Sequence, residues 1–239
     1  MKKMLLTLGS LVLAVAGVAW GALNLSNSRS IQVAGELVTR VETTDSVVAL
    51  TFDDGPIPIY TDSVLAILAE FQIPATFFMV GERMERAPDV VARVRAQGHE
   101  LANHSYSHPA LILKRPSIIR SQVEATDSII RAMGHEGEIW FRPPYGKRLL
   151  GLPLYLARKR RPVVLWDLEP DTYWLDAAEV VDHVEAGVQP GSIILLHVEL
   201  PVRKENRIAL RILIPSLLAR GYKFVTVTDL MQRSVPPTS

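Results

Sequence analysis

Two adjacent carboxylates and two histidines four residues apart are the groups in this chain best suited to chemistry. Asp53 and Asp54 stand in the run Thr51-Phe52-Asp53-Asp54-Gly55-Pro56, and His104 and His108 in His104-Ser105-Tyr106-Ser107-His108. Carboxylates this close repel each other unless a cation or an arginine compensates. A metal on one leaves the other free as a base. Histidines at i and i+4 meet on one helical turn or in a compact loop, where they can share a metal. Ser105 stands where the zincin motif H-E-x-x-H has its glutamate, so a base must come from elsewhere. Each pattern also has a plainer reading: Asp-Gly and Gly-Pro punctuate turns, and the histidines could be a surface pair.

Three further segments offer partners. Arg142, in Phe141-Arg142-Pro143-Pro144-Tyr145-Gly146, carries a planar fork that clamps carboxylates. The two prolines there stiffen the loop and remove two donors, leaving the Tyr145 N–H free to face a developing oxyanion; the same run also suits a rigid turn. His197 ends the apolar run from Ser192 and is either an acid or base near neutral pH or a satisfied core histidine. The stretch 166–174 mixes Asp167, Glu169 and Asp171 with Trp166, Tyr173 and Trp174, aromatics that either stack on sugar faces or fill a core.

Apolar runs at 47–52, 75–80, 100–103, 139–142, 163–167, 193–197 and 223–226 read as buried strands. Amphipathic stretches at 61–70, 88–97, 117–133, 149–160, 177–186 and 206–220 read as helices, two of them followed by the stop signals Gly134 and Gly221. Strands alternating with helices predict a parallel sheet, either open or closed into a barrel, with its working site at the C-terminal strand ends. Asp53-Asp54, His104, Arg142, Asp167 and His197 all fall at such ends.

The chain has 239 residues, 48% hydrophobic and 21% charged, which suits one globular domain. A net charge of +1 argues against nucleic-acid binding, and the absence of cysteine excludes disulfides and thiolate sites. Lys2 and Lys3 precede the uncharged run Met4–Leu23, which suits a membrane anchor or a cleaved signal and an extracytoplasmic location, with the membrane itself a partner in the anchored case. The expected divisions are 1–23 as that segment, 24–44 as a spacer, 45–233 as the working domain and 234–239 as a tail.

Taken in order, T-F-D-D-G-P, H-S-x-x-H, R-P-P-Y-G and the terminal L-L-H resemble the polysaccharide deacetylase family, the NodB-homology group of carbohydrate esterases, from about Val47 to Arg233. The resemblance implies a distorted barrel of about seven β/α units and hydrolysis of N-acetyl groups on peptidoglycan or chitin-type glycans. It implies Asp53 as general base, with Asp54, His104 and His108 as ligands of a divalent metal. Zinc suits such nitrogen and oxygen donors, as do cobalt, nickel, manganese and iron. Arg142 would orient Asp53, the Tyr145 N–H would hold the oxyanion, His197 would be the general acid and Leu195 would line the acetyl pocket. The family's D-x-x-D-W is missing. Glu169 and Asp171 offer acids at another spacing, and Val198 stands where Asp is common. These departures support one rival, a catalytically impaired cell-wall glycan-binding protein. A ferrous oxygenase, which shares the two-histidine, one-carboxylate ligand set, lacks sequence support.

Overall fold

Every residue of Val47–Asp53, strand β2, is buried. That follows from its sequence, since a strand covered on both faces reads as a continuous apolar run. In the computed structural model, residues 2–170 and 176–235 are described, the side chains of 2–9 and 11 excepted. The other strands are β1 (Leu37–Val38), β3 (Thr76–Met79), β4 (Glu100–Asn103), β5 (Val163–Val164), β6 (Ile193–Leu196) and β7 (Lys223–Val225). β2 is the hub, parallel to β6 on one side and to β3 on the other, with β4 beyond β3. Ala49 pairs with both Ile193 and Val225, so β7 takes the lower part of the side of β2 that β3 takes higher up. Single bridges join Phe141 to Asn103 and to Val163, β1 pairs with β5, and Leu168 bridges to Ile194 of β6. The expected parallel α/β architecture is present, and its sheet curls through this circuit of pairings.

Three expectations need correction. The strand expected at 139–142 is reduced to the Phe141 bridge, because the next residues, Pro143 and Pro144, have no N–H to extend a ladder. The strand expected at 163–167 stops at Val164. The stretch 24–44, expected as a spacer, contributes β1 and the buried residues Val38 and Val41.

The helices are α1 (Lys2–Asn27), α2 (Pro58–Phe71), α3 (Gly81–Arg86), α4 (Pro88–Ala96), α5 (Pro116–Ala132), α6 (Gly151–Arg158), α7 (Ala177–Gly187), α8 (Lys204–Ala219) and α9 (Val227–Met231). Six lie where periodicity placed them; α3 and α9 are too short to show a period. Among the described residues, no helix is long and apolar enough to cross a membrane, which gives the expected spanning segment no support. Side chains 1–9 and 11 of that segment lie outside the described residues. Within it, Val12, Leu13, Val15, Val18, Trp20 and Leu23 are exposed.

Alternation along β2 separates two cores. Val48, Leu50 and Phe52 pack under α2, α7 and α8, while Val47 and Ala49 face a second cluster with Phe78, Phe141, Val164 and Leu195. By the same period of two, Thr51 and Asp53 point to that second, inner side.

His99, just before β4, is buried 5.5 Å from the Phe77 ring, and neither ring nitrogen has a partner. Burial pushes its imidazole down to about 4 from 6.5. The folded chain therefore refuses a proton that the unfolded chain takes up below about pH 6.5. The stability that neutral His99 preserves is complete above that pH and declines as pH falls towards 4. Thermal melts of His99→Leu should show a weaker loss of stability between pH 6.5 and 4 than wild type. Parallel pH profiles would disprove this assignment.

Candidate active site

Asp53 ends β2 facing inward and is 2% exposed. Continued alternation would turn Asp54 outward, but Asp54 adopts φ 75°, which swings its carboxylate back towards the same end of the sheet. Ser105, His108 and Tyr145 also have positive φ, so four of the seven such non-glycine residues among those described belong to one site. Backbone held in this sparsely populated region concentrates where geometry serves function.

Arg142 is fully buried and explains how a carboxylate can be buried beside it. Its Nη1 donates to Asp53 Oδ1 (2.7 Å) and Thr51 Oγ1 (2.9 Å). Nε donates to the Val164 carbonyl (3.2 Å) and Nη2 to the Leu165 carbonyl (2.9 Å), and the guanidinium lies 3.9 Å from the Phe78 ring centroid. Burial pushes the guanidinium down while Asp53 opposes the shift. One Asp53 oxygen is thus fixed, and Oδ2 lies 3.7 Å from His104 Nε2.

His104 and His108 occupy a compact loop after β4. A carbonyl only accepts, so His104 Nδ1 donates to the Arg142 carbonyl (2.9 Å), leaving the Nε2 lone pair facing the site. Burial drives the His104 imidazole down despite Asp53 and Asp54, keeping it neutral as a ligand must be. His108 Nε2 lies 3.2 Å from His104 Nε2 and 3.0 Å from Asp54 Oδ1, which is itself 3.6 Å from His104 Nε2. Asp54 Oδ1 is buried and makes no hydrogen bond. Burial alone would raise the Asp54 carboxyl, but His108, His104 and His197 outweigh it and hold the group well below the usual carboxylate range. Donor atoms of Asp54, His104 and His108 all lie within 4.8 Å of one another. An ionised carboxylate whose buried Oδ1 faces two imidazole nitrogens fits a divalent cation.

Residues without a sequence signal hold this loop. Asn103 Oδ1 accepts from the Ser105 N–H (2.7 Å), and its Nδ2 donates to Asp127 Oδ1 (2.7 Å). Gln122 of α5 accepts from the N–H groups of Tyr106 (3.1 Å) and Ser107 (2.9 Å). Glu199 was also missed. It is buried, and burial pushes its carboxyl up to about 7. It accepts from Thr61 Oγ1 (2.5 Å) and the Ile57 N–H (3.3 Å). A Cβ on Gly55 would come 2.6 Å from Glu199 Oε1, so a larger residue beside Asp54 would have to displace the buried Glu199 carboxylate.

A cleft of about 480 Å³ brings together Asp53, Asp54, His104, His108, Tyr145 and His197. The Tyr145 ring stands edge-on to His108 at 4.7 Å. Asn206 Nδ2 donates to the His197 carbonyl (2.6 Å). Glu169 lines the cleft and accepts from Trp166 Nε1 (3.0 Å). Not every expectation is met. Leu195 is wholly buried in the inner core, and the apolar lining comes from Leu165, Trp166 and Leu200. Asp167 turns away to accept from Ser192 Oγ (2.7 Å) and the Ile193 N–H (2.8 Å). Asp171 lies outside the described residues.

A family model described as polysaccharide deacetylase matches residues 40–158. A chitooligosaccharide deacetylase of Sinorhizobium fredii is 39% identical over 189 residues, covering 73% of this chain and 87% of that protein. A solved peptidoglycan N-acetylglucosamine deacetylase, in complex with 4-naphthalen-1-yl-N-oxidanyl-benzamide, superposes with a TM-score of 0.78 at 31% identity, over 82% of this chain and 93% of that one. A family 4 acetyl xylan esterase from Clostridium thermocellum, in complex with a cobalt ion, gives 0.70 at 34% identity, over 78% and 90%.

Proposed function

Because this chain belongs to the polysaccharide deacetylase family, we propose that it removes acetyl groups from the nitrogen of an N-acetylated glycan by metal-dependent hydrolysis. The observation that carries this reading is the convergence of Asp54, His104 and His108 beside a buried Asp53 fixed by Arg142.

A divalent cation on the three ligands supplies Lewis acidity for the acetamide carbonyl. Asp53, held at one oxygen by Arg142, takes a proton from the attacking water through the other. The Tyr145 N–H donates to the oxygen that gains charge as the carbonyl carbon becomes tetrahedral. His197 gives a proton to the departing nitrogen as the C–N bond breaks. Water and amide become acetate and a protonated amino sugar, and the proton held by Asp53 restores His197, so atoms and charge balance.

Acetate release from peptidoglycan-type and chitin-type oligomers by the whole chain tests this reading. Release should fall at least tenfold on chelation and return with zinc or cobalt. Undiminished release after complete metal removal would sink the metal assignment, and glycan binding without acetate release would favour the binding-only rival.

We further infer an extracytoplasmic location, supported by the two lysines ahead of the uncharged run 4–23 and by substrates of this class being wall or surface polymers. Cell fractionation that left the chain wholly in the cytoplasm would defeat it.

A further inference from the structure

The end of α1 and the segment from there to β1 lie outside the 40–158 match, yet Asn27 and Arg29 line the catalytic cleft. It is held there by Arg148, which is 1% exposed. Arg148 Nη2 donates to the carbonyls of Ser28 (2.7 Å) and Ile31 (3.3 Å), and Nε donates to Gln32 Oε1 (3.1 Å). Nη1 donates to the Gly146 carbonyl (3.0 Å), next to Tyr145. One buried arginine, satisfied by neutral oxygens, thus ties residues 28–32 to the loop that presents Tyr145 to the cleft.

Arg29 is placed by this strap. Its guanidinium lies 5.1 Å from the Trp166 ring centroid, and Nη2 pairs with Glu169. The Arg29 side chain is 50% exposed and that of Glu169 only 11%, so the cation rather than the carboxylate meets the open cleft. An arginine has five N–H donors in a fork matched to carboxylates, and pairing through Nη2 leaves others for a ligand. Arg203 also lines the cleft. An exposed guanidinium at the cleft attracts a negatively charged substrate group.

We propose that Arg29 is a specificity-determining residue that binds a carboxylate on the glycan near the reacting N-acetyl sugar, and that Arg148 is the positioning residue that holds it there. This rests on the deacetylase reading and narrows its substrate class to carboxylate-bearing glycans, such as cell-wall strands with lactyl groups, over neutral chitin-type oligomers.

The test uses the full-length, zinc-loaded chain and a tetramer of alternating N-acetylglucosamine and N-acetylmuramic acid, compared with its methyl ester, which removes the charges and little else. Calorimetry should show the acid binding roughly tenfold more tightly than the ester in wild type, the scale of one charge-assisted hydrogen bond. Arg29→Ala should shrink that ratio to about twofold, and Arg29→Lys should keep part of it. Arg148→Gln should lower the same ratio by releasing the strap. If that variant does not fold, Arg148→Lys, which keeps the charge but loses the fork, gives the same readout. A wild type that does not distinguish acid from ester, or an Arg29→Ala that still does, overturns the proposal. Discrimination in binding without acetate release would defeat the deacetylase reading and leave the Arg29 assignment standing. Acetate release without discrimination would do the reverse.

Discussion

Replacing Asp53 with Asn should lower kcat for acetate release by about 10²–10⁴-fold, the range for losing a positioned general base, while bound metal stays near one equivalent. Asn keeps the shape and accepts from Arg142, so the hydrogen bond seen at 2.7 Å survives in neutral form. What disappears is the basic oxygen, which faces His104 at 3.7 Å and is not among the three converging donors. Acetate assays paired with metal analysis separate the outcomes. Near-normal turnover would remove Asp53 from the base role. Loss of turnover together with loss of metal would move Asp53 into the ligand set.

The second large effect is on stability. Arg142→Met should destabilise the fold by about 3–5 kcal/mol, because it leaves the Asp53 carboxylate buried without its counter-charge. For a domain of this size that corresponds to a fall in Tm of roughly 10 °C. Thr51 Oγ1 and the carbonyls of Val164 and Leu165 lose their donor as well. Arg142→Lys should be intermediate, since an ammonium keeps the charge without the fork. The double variant Arg142→Met/Asp53→Asn should recover part of the loss, because the stranded charge is the main cost. Urea titrations with coincident midpoints for wild type and Arg142→Met would refute this account.

These effects depend on residues whose importance the sequence conveys unequally. Asp53, Asp54, His104, Arg142 and His197 are legible because each follows an apolar run, and strand ends are where a parallel sheet exposes working groups. The same rule fails for Asp167, whose carboxylate caps the start of β6. A local pattern cannot say which way a side chain turns once its strand has stopped. After α1, which reads only as an uncharged apolar run, the helices longer than two turns are readable from their period. The two-residue β1 has no period at all, and it is defined only by its partner β5. Glu199 is invisible for a similar reason: the Thr61 and Ile57 contacts that bury it lie about 140 positions away in the chain. Arg148 follows Lys147 and reads as one more surface base, while its burial is set by carbonyls more than 110 residues upstream.

That last contact bears on inheritance. Recombination could in principle graft a new leader onto an old hydrolase anywhere ahead of residue 40, where the family match begins. Here a crossover at that point would remove the Gln32 side chain that Arg148 uses, and would keep the two carbonyl acceptors only where the new leader follows the same path. A leader exchanged without cost to Arg148 therefore joins ahead of Ser28, or follows the same path over residues 28–32. Change at Gln32 and change at Arg148 should then be correlated, although 116 positions separate them.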